Sequence, residues 1–220
     1  MDLVTLWNLA LSEVGSRALI SAPDERGREA DLCRLHYPHV RDVLLKGASW
    51  PCASAWQALA VLEERNFSAA WTVDDPAPGW RFTYAAPSDM LAPRYLASFG
   101  RFTAAAKAGQ AVIYCSEEDA ILHYTAAVTD VSLFDHGLVN AIVAALAARL
   151  CRPITGKDGR TADLRQAAVE AVLLARTEFA NESDEHVEAL PSWLQARGLS
   201  MTPQSSRFYY PISDVNKGSI

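Results

Sequence analysis

The 220-residue chain has no excess of positive charge: 20 Lys and Arg stand against 26 Asp and Glu, for a net charge of -6. Gripping nucleic-acid phosphates takes clustered cations that displace counterions, so this balance excludes a protein that holds DNA tightly, though not one that surrounds it. Long apolar runs are missing too. The longest, 138–150, is about 13 residues, short of the ~20 that cross a bilayer, and no membrane span is expected. Residues 1–7 have neither a basic start nor a small-residue cleavage site, which speaks against an ordinary signal peptide. The four cysteines, Cys33, Cys52, Cys115 and Cys151, stand singly in apolar surroundings. They read as small buried hydrophobes in a reducing compartment, not as a disulfide framework. No internal repeat or low-complexity tract is apparent.

Signatures of chemistry are equally sparse. There is no Gly-x-Ser-x-Gly elbow to expose a nucleophile. Gly156 and Lys157 are followed by Asp158 rather than Ser or Thr, and Cys151 stands where the first glycine of a phosphate loop belongs, so that motif fails twice. Cys33, His36 and His39 fall three apart, but a zinc site needs a second ligand pair at matched spacing, and a kinked-helix core is the better reading. Glu117, Glu118 and Asp119 lie between two strand-like runs and read as a solvated turn rather than an acid-base group. His123, His136 and His186 have no partner discernible in the sequence. No cofactor or metal is expected.

What is present is a globular composition, 50% hydrophobic and 21% charged, which predicts one compact body with an inserted lobe. Leu3, Leu6, Trp7, Leu11 and Val14 recur at three and four, predicting a helix over 3–14 stopped by Gly15. Pro23, Asp24 and Glu25 suit the first turn of a second helix. It runs to Lys46 with a kink at Pro38 and with Leu32, Leu35, His36, Val43 and Leu44 on or near one face. Trp50 reads as a core anchor, and most of the six tryptophans as core.

From 56 to 131 the texture changes. Trp80, Phe82 and Tyr84 alternate, 111–115 is strand-like, and 120–125 answers it across 116–119. Ser88 or Asp89 offers a cap for a turn or two of helix. Phe134, Leu138, Ala141, Ile142, Ala145, Leu146 and Leu150 then predict a buried helix stopped by Pro153. A last helix, from about 161 to 181, carries Leu164, Ala168, Ala171, Leu174 and Ala175 inward. The expected fold is α+β, mainly α: an antiparallel helix bundle of 1–70 and 131–182, an inserted small antiparallel β lobe of 71–130, and a C-terminal segment, 183–220, with an extended tail.

Four stretches carry a family likeness. The first runs from Ala10, Leu11, Val14 and Gly15 through Ile20 and Ser21 to Ala30, Cys33, Tyr37, Pro38, Arg41, Leu44, Leu45 and Trp50. The second is Tyr84, Pro87 and Asp89. The third joins Phe134 and Asp135 to Arg149, Leu150, Pro153, Ile154 and Thr155, and the fourth is Ser192, Trp193, Leu194, Ala196 and Arg197. In this order they resemble the podophage head-to-tail adaptor, or tail tubular protein A, family, over most of the chain to about Gly198.

The resemblance implies a structural virion protein, not an enzyme. It implies a ring, a dodecamer, that joins portal to tail nozzle at the head-tail interface, passes double-stranded DNA without specific binding, and is assembled in the bacterial host cytoplasm. Closing such a ring requires a face that fits a different face of the next copy. Arg207, Phe208, Tyr209, Tyr210, Pro211 and Ile212 gather aromatics with no core of their own to join, and are expected to dock on the portal. Glu178, Glu182, Asp184 and Glu185 are candidates to line the channel, where acid would let DNA slide. Two other readings stay open: a head-completion connector of a long-tailed phage, and a small-molecule enzyme with a cleft between bundle and β lobe.

Overall fold

Asp2 opens the first helix by accepting a hydrogen bond from the Thr5 amide at 2.9 Å. In the computed structural model, which describes residues 1–156 and 159–182, α1 then spans Leu3–Val14 and ends at Gly15, whose φ of 82° suits a residue without Cβ. α2 spans Arg28–Gly47, α3 His136–Thr155 and α4 Gly159–Glu182. Residues 23–25 do not start α2. The Pro23 and Glu25 carbonyls accept from the Arg34 guanidinium at 2.7 and 2.9 Å, which holds this stretch as a turn, and the helix begins after Gly27.

The bundle core forms where α1 and α2 pack on α3. Ala30, Cys33, Tyr37, Val40 and Leu44 are the buried stripe of α2, spaced by three and four. This stripe is rotated from the expected face: Leu35 and Val43 are 69% and 52% exposed. Against it α3 buries Leu138, Ile142, Leu146 and Leu150 completely. α3 also runs past Pro153, the expected stop, to a left-handed cap at Gly156. A proline this near the end removes one hydrogen bond from a turn with few left to lose, and its carbonyl is taken up by Arg28. At 20 residues α3 is long and apolar enough to cross a membrane, longer than the 13-residue run suggested; its ten buried residues serve the core between α1 and α2.

The β region begins at Ser54, earlier than the expected boundary at 71. β1 is Ser54–Ala58, β2 Val61–Glu64, β3 Phe82–Ala85, β4 Met90–Leu96, β5 Phe102–Lys107, β6 Gln110–Cys115 and β7 Ile121–Ala126. They form two antiparallel sheets, ordered β1-β7-β4 and β2-β3-β6-β5. Thus β7 does not answer β6 in a hairpin; residues 116–120 cross between sheets. The hairpin partner of β6 is β5, through Ala108 and Gly109 at φ 49° and 80°, the left-handed pair a two-residue turn demands. The expected helix after Ser88 is instead β4, an edge strand whose bulges accommodate Pro93. Phe82, Tyr84, Leu96, Ile113, Leu122 and Tyr124 from both sheets share one core.

Arginines fasten the parts. Arg94 of β4 donates to the Lys46 and Ala48 carbonyls at 3.1 and 2.5 Å and to Thr125 Oγ1 at 2.7 Å, so a cation caps the negative end of α2. Arg160 of α4 donates to the Glu13 carbonyl at 2.8 Å beside Gly15, and Arg176 lies so close over Gly47 that a Cβ there would come within 2.6 Å of its guanidinium. Residues Met1–Arg176 form one compact unit. Of the remainder only the end of α4 falls among the described residues.

The architecture is α+β and mainly α, with four helices and two antiparallel sheets among the described residues.

Candidate functional site

Alternation along β1 and β7 sends Leu122 and Tyr124 into the β core and leaves His123 and Trp56 on the opposite face. There the register sets Trp56 and Tyr95 on either side of His123. Their ring centroids lie 4.6 and 4.5 Å from the imidazole, and Phe99 stacks on Tyr95 at 5.3 Å and 11°. Trp56 is 53% exposed and Phe99 74%, so the cluster presents aromatic surface to solvent over a buried histidine. An exposed apolar cluster of this kind marks an interaction site more often than a packing accident.

His123 Nε2 lies 2.6 Å from Ser54 Oγ, the partner that sequence reading did not find. Burial, then the neighbouring Arg94 charge, holds the imidazole below its ordinary value of 6.5, so it is neutral at pH 7 and of the right form to accept a proton. Its Nδ1 has no hydrogen-bond partner among the described residues. A serine nucleophile needs that nitrogen oriented by a third group, and the pair lacks it.

A second surface lies on α4. Thr161, Ala168 and Ala175 are its buried positions, whereas Leu174, expected inward, is 64% exposed and Val169 60%. The buried stripe is too thin to use all the apolar residues of the helix. Beside it runs a groove of about 310 Å³ lined by Ala145 of α3 and Ala168, Val169, Val172, Leu173 and Arg176 of α4. The small side chains of Ala145 and Ala168 leave this hollow. A third depression, about 480 Å³ and of mixed character, is lined by Pro78, Gly79, Trp80, Arg101, Ser116 and Glu117.

Glu178 is exposed on α4. Glu182 is the last residue of that helix. Asp184 and Glu185, and the docking residues Arg207, Phe208, Tyr209, Tyr210, Pro211 and Ile212, lie outside the described residues. Of the six tryptophans, most of them expected in the core and one or two at subunit contacts, Trp7 and Trp50 are buried, while Trp56 and Trp71 are 53% and 47% exposed.

Neither a protein-family model nor a curated protein gives a significant match to the chain.

Proposed function

We propose that this protein is a structural ring subunit of a virion, a head-to-tail adaptor that joins the portal to the tail and surrounds the DNA channel. The observation that carries the reading is the pair of unlike apolar surfaces on one subunit, the aromatic cluster around Trp56 and Phe99 and the side of α4 at Val169 and Leu173. A head-to-tail ring needs two different patches per copy, one for each neighbour, whereas a solitary enzyme needs neither. The four ordered likenesses to the podophage adaptor family support it. So does the net charge of -6, which suits a wall that DNA slides past. Glu178 would face the channel, and residues 207–212 would reach the portal. The site of action is the virion head-tail interface, after assembly in the host cytoplasm.

Mass photometry of the purified chain, alone and mixed with portal rings from the same genome, tests the reading. Rings, or assembly on the portal, are expected; a monomer inert to portal overturns it.

A further inference from the structure

We infer that Phe99 of one copy seats in the groove between α3 and α4 of the next copy, a contact that rests on the ring reading and names its two halves. Phe99 is 74% exposed in a left-handed backbone at φ 58°, a conformation that bulky residues rarely adopt. The turn is held by its own amide, which donates to the Leu96 carbonyl at 2.8 Å, and by the stack on Tyr95. Beyond that one stack, the strained turn leaves most of the phenyl ring in water. A preorganised ring is what an interface anchor requires.

The surroundings of the two halves are complementary in charge. Glu117 is bonded to Ser98 and its carboxylate lies against Gly100, where a Cβ would come within 1.6 Å of it; Glu118 and Asp119 are exposed beside it. Exposed Arg101, which lines the same depression as Glu117, and exposed Arg81 stand against these carboxylates, so Phe99 projects from a setting that is acidic only in balance. The groove is apolar, floored by Ala145 and Ala168, and bordered by arginines on its own face and by exposed Glu170 one turn before Leu173. Arg176 lines it, and exposed Arg165 stands one helical turn before Val169. An aromatic ring flanked by acid fits an alanine hollow flanked by arginine, and like-charge pairing of either patch with itself is disfavoured. Such asymmetry produces head-to-tail rather than two-fold association.

Full-length Ala97→Cys and Val169→Cys chains, the first keeping the Phe99 ring, purified separately and mixed under copper-phenanthroline oxidation, test the contact. Both positions are exposed, and Cys33, Cys115 and Cys151 are buried, so the parent chain gives the background through half-buried Cys52. The expected result is covalent dimer enriched in the mixture by roughly tenfold over either chain alone, because contact raises the effective thiol concentration. Equal yields in the mixture and the single chains overturn the contact. Preferential trapping of Val169→Cys by a Tyr209→Cys chain also overturns it, by giving the groove to the C-terminal segment. Mass photometry on the parent chain with portal separates the two proposals. Rings without mixed dimer sink this contact and leave the adaptor reading standing. Mixed dimer without any closed assembly keeps the contact and sinks the ring.

Discussion

His123 is neutral because burial and Arg94 make its charged form costly, and His36 is held low by burial, Arg149 and His39 in the same sense. As pH falls through 6.5, the ordinary value of both, the unfolded chain takes up protons that the folded chain refuses. Stability is therefore complete above that pH and declines below it, towards the lower folded values. Thermal melts at pH 7.5 and at stepwise lower pH should show Tm falling below about 6.5, and His123→Gln should reduce the slope. A slope unchanged in that variant would mean that His123 is not the proton acceptor.

The thiols behave in the opposite direction. Burial pushes Cys33 up to about 12, aided by Glu29, and Cys52 up to about 11, aided by Asp135. Thiolate is the reactive form, so a disulfide reagent at pH 8 should label Cys33 and Cys52 slowly in the native protein and quickly in the denatured protein. Fast native labelling of Cys33 would contradict its burial. At this scale the sequence was legible where a residue's neighbours are local, as for the cysteines in apolar helices. His123 and Ser54 are 69 residues apart, and only the pairing register of β1 with β7 brings them together.

At the scale of elements, helices were readable because caps and a 3.6-residue period are written locally: Asp2 and Gly15 bound α1 within the expected limits. Which side of a helix faces inward was less so. α2 and α4 carry apolar residues on more than one side, and the choice depends on where the other elements lie. Strand pairing was the least legible. β5 is alanine-rich, with no β-branched run to betray it, and β4 holds a proline that an edge bulge tolerates.

α4 supplies a direct test of which side is buried. Ala175 is 3% exposed, so Ala175→Leu forces extra methylenes into a filled contact and should cost ~1–3 kcal/mol. Leu174 is 64% exposed, and Leu174→Ala should change stability by no more than ~0.5 kcal/mol. Urea unfolding followed by circular dichroism distinguishes them. The opposite ranking would restore Leu174 to the core and rotate α4 by about one residue.

For the whole molecule, the proposed division of labour is testable by truncation. The described core of the compact unit closes before Thr177: α1, α2 and α3 bury one another, and Arg160 and Arg176 fasten α4 at Gly15 and Gly47. None of these contacts uses residues 204–220. Deleting that segment should leave the unfolding temperature unchanged within error and leave subunit-subunit cross-linking between positions 97 and 169 intact. The same deletion removes Arg207, Phe208, Tyr209, Tyr210, Pro211 and Ile212, whose aromatic rings and guanidinium are the side-chain types that dominate binding energy. Portal binding by the truncated chain, followed by co-sedimentation with portal rings, should fall at least roughly 30-fold, the loss that corresponds to one good anchor. Undiminished binding would move the portal contact off the tail and onto the folded unit, where the exposed aromatics Phe67 and Trp71 would be the next residues to substitute.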